Sequence, residues 1–135
     1  MSDSFRAEWS PRLLSVLRIV AALLFLQHGL TKLFGFPGAA PANFHWFTLA
    51  PGLAGLIEAL GSLALLFGFY SRAAAFIMSG EMAVGYLLFH APRSFFPVLN
   101  GGDPAILYCF VFLYLVFAGP GPWSLDALWH RKPRA

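Results

Sequence analysis

Long apolar runs alternate along this chain with short polar or Gly/Pro-rich breaks, and their lengths predict helices rather than strands. Four runs stand out, over residues 13–34, 52–70, 73–90 and 104–118. The first is about 22 residues long, enough at ~1.5 Å per residue to cross a ~30 Å hydrocarbon core. Within it Arg18, Phe25 and Lys32 recur at seven-residue steps and share one face, with His28 and Gly29 beside them. A charged stripe of this kind cannot face lipid. It must turn towards other helices, and those helices must bring carboxylates. The chain supplies Glu58 in the second run and Glu81 in the third.

The breaks carry their own signals. Ser10-Pro11 reads as a cap followed by a first-turn proline. In the Gly/Pro/Ala-rich stretch 35–51, Asn43-Phe44-His45-Trp46-Phe47 reads as an interfacial turn capped by Asn43, with His45 as a polar tip. Gly55, Glu58, Gly61 and Ser62 recur at three- and four-residue steps, a spacing that lets helix backbones approach closely and puts Glu58 on a helix–helix face. The short turn Tyr70-Ser71-Arg72 makes the third helix an antiparallel neighbour of the second, with Met78, Glu81, Gly85 and Leu88 facing inward. His90 closes that helix ahead of Ala91-Pro92, Asp103-Pro104 caps and opens the fourth, and Gly119-Pro120-Gly121-Pro122 ends it. Residues 123–130 read as a short amphipathic surface helix capped by Ser124 and anchored by Trp123 and Trp129. The expected architecture is all-α: one polytopic membrane domain over 1–135, an antiparallel bundle of four transmembrane helices with short interfacial helices.

Composition sharpens this picture. Of 135 residues 59% are hydrophobic and 11% charged, with a mean hydropathy of +0.69; a soluble domain carries about 25% charged residues. The net charge of +3 does not form a nucleic-acid face, because the basic residues sit near the ends of apolar runs. They act instead as topology signals. Arg6, Arg12, Arg18, Arg72, Arg131, Lys132 and Arg134 fall on one side and Lys32 and Arg93 on the other, so both termini are expected in the cytoplasm. The single cysteine, Cys109, reads as a small packing residue, and with no CxxC the chain has no internal dithiol chemistry. Ala40-Pro41-Ala42 loosely fits a signal-peptidase site, but the apolar run before it is too long and ends too early, so the first run is expected to be a retained anchor.

The buried charges are the candidate chemistry. Helix rise places Arg18 and Glu81 within reach in one half of the bundle and Glu58 with Lys32 or His28 in the other, so two cations meet two carboxylates. One reading makes these pairs structural glue. The other makes a polar outer-leaflet pocket of Gln27, His28, Lys32, Glu58, Tyr86 and His90, able to hold the polar head of an apolar redox carrier and pass protons to it. A quinone is the cofactor such a pocket would take. A b-type haem on His28 and His90 is the weaker variant, because the break at His90 puts its ring near water. No metal-ligand spacing is present.

Arg18, FLQHGLTKLFGF (Phe25 to Phe36), GLIEALGSLALLFGF (Gly55 to Phe69), Glu81 with Gly85 and Tyr86, FFPVLNGGDPAILY (Phe95 to Tyr108) and GPGPWSLDAL (Gly119 to Leu128) form an ordered set. Together they resemble the DoxX family of small bacterial membrane proteins, from about Leu14 to Leu128. The resemblance implies a four-helix bundle in the bacterial inner membrane, with Arg18, His28, Gly29, Lys32, Glu58 and Glu81 in its shared polar centre. The family's namesake is similar to a small subunit of an archaeal thiosulfate:quinone oxidoreductase, and other members look like membrane partners in redox-stress complexes. More distant relatives are associated with disulfide maturation, for which this chain lacks the cysteine pair. The expected function is a membrane subunit or partner of an oxidoreductase system that uses a quinone. The alternatives are a non-enzymatic scaffold or lipid-binding protein, and a small proton-coupled transporter. Whether the chain is itself an enzyme is left open. The expected partners are the lipid bilayer and a redox protein, with a homo-oligomer also compatible.

Overall fold

A computed structural model describes residues 2–39 and 45–129, and those residues are helical with no strand among them. The Ala40-Pro41-Ala42 site, the Asn43 cap, and the tail from His130 with Arg131, Lys132 and Arg134 lie outside the described residues. The elements are α1 (Asp3–Phe34), α2 (Ala54–Phe67), α3 (Ser71–Gly85), α4 (Pro97–Asn100), α5 (Asp103–Ala118) and α6 (Leu125–Trp129). A kinked turn, Leu49–Leu53, leads into α2, and a widened i→i+5 turn, Tyr86–His90, prolongs α3. Three of these helices are long and apolar enough to span a bilayer: Asp3–Phe34, Leu49–Phe67 and Ser71–His90. The fourth apolar helix, Asp103–Ala118, is shorter.

The first helix starts ten residues before the expected position. Ser2 is its cap, accepting from the Phe5 N–H, and Asp3 sits in the first turn with Arg6 on its carboxylate at 2.7 Å. Glu8–Arg12 at 2.8 Å and the Arg12 guanidinium over the Trp9 ring support the next turns. Ser10 is therefore not a cap, and Pro11 lies within the helix. Gly102 rather than Asp103 is the N-cap of α5, which puts Asp103 in its first turn.

α1 packs on α2, α3 on α5, and α2 on α3. Of the expected α1 stripe, Arg18, Phe25 and Gly29 are buried, together with Ser15 and Ala22, while Lys32 is half-buried and His28 exposed. Phe25 meets Phe112 edge-on at 5.0 Å and Tyr108 at 4.9 Å, and Leu65 and Met78 close the cluster. Outward faces are apolar, with Val20, Leu24, Leu60, Phe76, Leu107 and Phe110 exposed. Burying charges while exposing leucine and phenylalanine inverts the pattern of a soluble domain and fits a hydrocarbon surround.

Glycine sets the spacing between α1 and α2. A Cβ on Gly29 would lie 2.6 Å from the Ala59 nitrogen and 3.0 Å from the Gly55 oxygen, so the two backbones touch there. At the other end of α2 the chain reverses through Gly68 (φ 68°) and Tyr70 (φ 45°) into α3. The Asp126 carboxylate on α6 accepts from the Tyr70 and Ser71 N–H groups at 2.9 and 2.8 Å and caps α3 from a distant element. Ser124 caps α6 itself, accepting from the Ala127 N–H at 3.1 Å.

Candidate functional site

The two cations on the inward face of α1, Arg18 and Lys32, serve opposite ends of the fold, and among the described residues only Lys32 makes a salt bridge to a carboxylate. Arg18 is fully buried. Its Nε donates to the Pro120 carbonyl at 2.8 Å, Nη1 to the Leu65 and Leu66 carbonyls, and Nη2 to the Trp123 carbonyl. The expected Arg18–Glu81 pair is thus corrected. Helical side chains lean towards their own N-terminus, which takes Arg18 away from the level of Glu81. There it meets the orphan carbonyls at the end of α2, where a guanidinium fork satisfies several acceptors at once. Arg72 does the same for α5, donating to the Val116 and Phe117 carbonyls.

Lys32 meets Glu58: Nζ to Oε1 is 2.5 Å, with the Glu58 side chain 1% exposed and that of Lys32 32% exposed. The close approach at Gly29 and Gly55 creates this pair, since Lys32 and Glu58 lie one turn from it on facing helices. Glu58 Oε2 and both oxygens of Glu81 are buried and have no hydrogen-bond partner among the described residues.

These groups line a cavity of about 630 Å³. Its polar lining combines His28, Lys32, Glu58 and Glu81 with His90 and Tyr108. Its apolar lining includes Leu49, Leu53, Ile77 and Phe89, which are exposed and would meet acyl chains in a bilayer. Gly80 and Gly85 of α3 contribute bare backbone, with nothing within 4 Å of where a Cβ would stand. Both irregular turns, Leu49–Leu53 and Tyr86–His90, contribute to the wall, so the helix distortions coincide with the cavity.

The expected pocket residues divide. His28, Lys32, Glu58 and His90 line the cavity; Gln27 and Tyr86 do not. Gln27 is two residues from buried Phe25, about 200° around the helix, and is exposed. Tyr86 stacks on His90 at 6.3 Å, and its hydroxyl accepts from the Asn100 Nδ2 at 3.5 Å. His90 Nδ1 lies 3.0 Å from the Asn100 carbonyl oxygen, which requires that nitrogen to carry the proton.

Two residues that the expected pocket lacked line the cavity, and a third supports His90 from behind. Glu81 joins the cavity instead of pairing with Arg18. Tyr108 brings a hydroxyl from α5, its ring 5.9 Å from that of His28; Tyr114 on the same helix is exposed, so the sequence alone did not single Tyr108 out. Asn100 is buried, donates to the Ser94 carbonyl at 2.8 Å and accepts from the Gly102 N–H at 2.7 Å, fixing the loop behind His90. Asn-Gly-Gly reads as an exposed turn, and nothing local reveals its burial.

The fold and the cavity together define an all-helical integral membrane protein with a charged, lipid-flanked interior. The chain belongs to the DoxX family, whose profile matches residues 13–91. It is 41% identical over 132 residues to an uncharacterized protein of Haemophilus influenzae, covering 93% of this chain and 96% of that one. It is 31% identical over 132 residues to the inner membrane protein YqjF of Escherichia coli, covering 87% of this chain and 92% of that one. No solved structure matches.

Proposed function

We propose that this DoxX-family protein is the membrane component of an oxidoreductase system and takes a quinone in the α1–α2–α3–α5 cavity. The observation that carries the reading is the cavity's two-sided lining: Lys32–Glu58, Glu81, His28 and Tyr108 supply a polar end, and Leu49, Leu53, Ile77 and Phe89 supply an apolar flank. A volume of about 630 Å³ is in the range of small-molecule sites. A polar ring with an isoprenoid tail matches that division, the tail leaving between apolar side chains into lipid. Carboxylates and a histidine at the ring are the groups that exchange protons with a quinone oxygen.

In this reading the four apolar helices form an antiparallel bundle in the bacterial inner membrane. The E. coli relative is an inner membrane protein, which supports the placement. Seven of nine Lys and Arg residues fall on the side of the termini, which supports cytoplasmic ends. The electron donor is then a separate redox protein, since this chain has neither a dithiol pair nor a second cysteine.

The test is an organic extract of the purified protein, analysed by mass spectrometry beside Gly85→Leu, which puts a bulky side chain into the cavity and leaves every charged group in the sequence. A near-stoichiometric quinone, lost in the variant, supports the reading. Bulk phospholipid alone in both samples overturns it in favour of a lipid-binding or scaffold role.

A further inference from the structure

The hydrogen-bond inventory of the cavity is lopsided. Glu58 is 1% exposed and lines the cavity, yet its Oε2 has no partner among the described residues. Both oxygens of Glu81 are in the same condition. Three buried acceptors therefore reach the cavity wall from α2 and α3, while the nearby ammonium of Lys32 gives one of its three N–H groups to Glu58 Oε1 at 2.5 Å. Arg93 also lines the cavity, but it is exposed and lies in the turn that follows His90, twelve residues beyond Glu81. The opposite wall carries the His28 ring and the Tyr108 hydroxyl, each able to donate and to accept.

Leaving buried acceptors unmet is costly, so a ligand that brings donors gains most on entering. A quinone ring offers only carbonyl acceptors and would set oxygen against oxygen wherever the Glu58–Glu81 wall is ionised. A hydroquinone offers two hydroxyls. One can donate to the carboxylates while the other, across the ring, donates to or accepts from His28 or Tyr108. A proton shared by the two carboxylates does not reverse this preference. It leaves acceptor oxygens beside one hydroxyl, and a phenolic O–H, being donor and acceptor, still matches them better than a carbonyl does.

We infer that the cavity is a hydroquinone site: it recognises the reduced, donor-bearing head in preference to the oxidised one, and Glu81 with Glu58 Oε2 is the recognising pair. This rests on the quinone reading above and adds which redox form the resting site selects. Glu81 is the residue to test, because its carboxylate has no partner to strand among the described residues, whereas changing Glu58 also breaks the contact with Lys32.

The experiment measures equilibrium dissociation constants for a decyl-substituted benzoquinone and its hydroquinone, anaerobically, on the full chain in lipid nanodiscs. The wild type is expected to bind the hydroquinone at least about tenfold more tightly. Glu81→Gln, whose amide both donates and accepts, is expected to bring the ratio to about one, and Glu81→Asp to retain the preference. Equal or tighter binding of the oxidised form by the wild type overturns the inference while leaving a quinone site in place. A preference that survives Glu81→Gln overturns the role of Glu81. No binding of either form removes the quinone reading and this inference with it. Should Glu81→Gln fail to fold, the wild-type ratio still decides.

Discussion

Lys32 Nζ stands 2.5 Å from Glu58 Oε1, joining α1 to α2 beside the point where Gly29 meets the Ala59 backbone. The contact uses one carboxylate oxygen and leaves the other facing a cavity with no partner among the described residues. Structure and candidate chemistry therefore share the same side chain.

Removing Lys32 alone should cost more than removing both partners. Lys32→Met leaves Glu58 charged and buried, a situation worth about 3–5 kcal/mol when both groups are fully enclosed. The 32% exposure of the Lys32 side chain reduces that to about 2 kcal/mol. The double variant Lys32→Met/Glu58→Leu should recover most of it. Thermal unfolding in detergent checks this, and additive losses would sink the coupling.

Arg18 should resist conservative replacement. Its guanidinium serves four carbonyls from the end of α2 and from the Pro120–Trp123 segment. An ammonium lacks the planar fork to reach them together. Arg18→Lys should lose more than about 2 kcal/mol, since hydrogen bonds to a charged group contribute about 1.5–3 kcal/mol each and several go at once. A melting temperature within a degree of the wild type would contradict the assignment.

Glu81 should behave oppositely. Its two oxygens have no partner among the described residues, so Glu81→Leu removes an unmet desolvation cost of about 1–3 kcal/mol and raises the melting temperature. Ligand binding should fall in the same variant. Stability rising while binding falls separates a recognition residue from structural glue.

Two glycines give a paired test of the backbone geometry. Gly29→Ala drives a Cβ to 2.6 Å from the Ala59 nitrogen and should force α1 and α2 apart. Gly80→Ala meets nothing within 4 Å and should stabilise α3 by about 1 kcal/mol through helix propensity alone. Equal effects at the two positions would refute the close approach.

What could be read from the residues depended on how local each signal was. The seven-residue spacing of Arg18, Phe25 and Lys32 marks the inward face of α1, because helical period is a property of the chain itself. Glu58 was legible through the small residues flanking it. The partners of Arg18 were not, because backbone carbonyls carry no sequence identity, and the neat balance of two cations against two carboxylates pointed to the wrong pair. The start of α1 at Asp3 escaped hydropathy because its first turns are polar and held by Ser2, Asp3 and Glu8. Tyr108 and Asn100 owe their roles to helices and loops packed around them, which no local pattern encodes.

The most direct measurement is photo-crosslinking with a short-chain quinone carrying an azido group on its ring, on protein in nanodiscs, with the labelled peptides mapped by mass spectrometry. Labelling should concentrate on the segments holding Glu58, Glu81 and Tyr108 and should disappear with Gly85→Leu. Labelling spread along the outward faces around Val20, Leu60 and Phe110, and unchanged in that variant, would contradict a quinone site in the cavity.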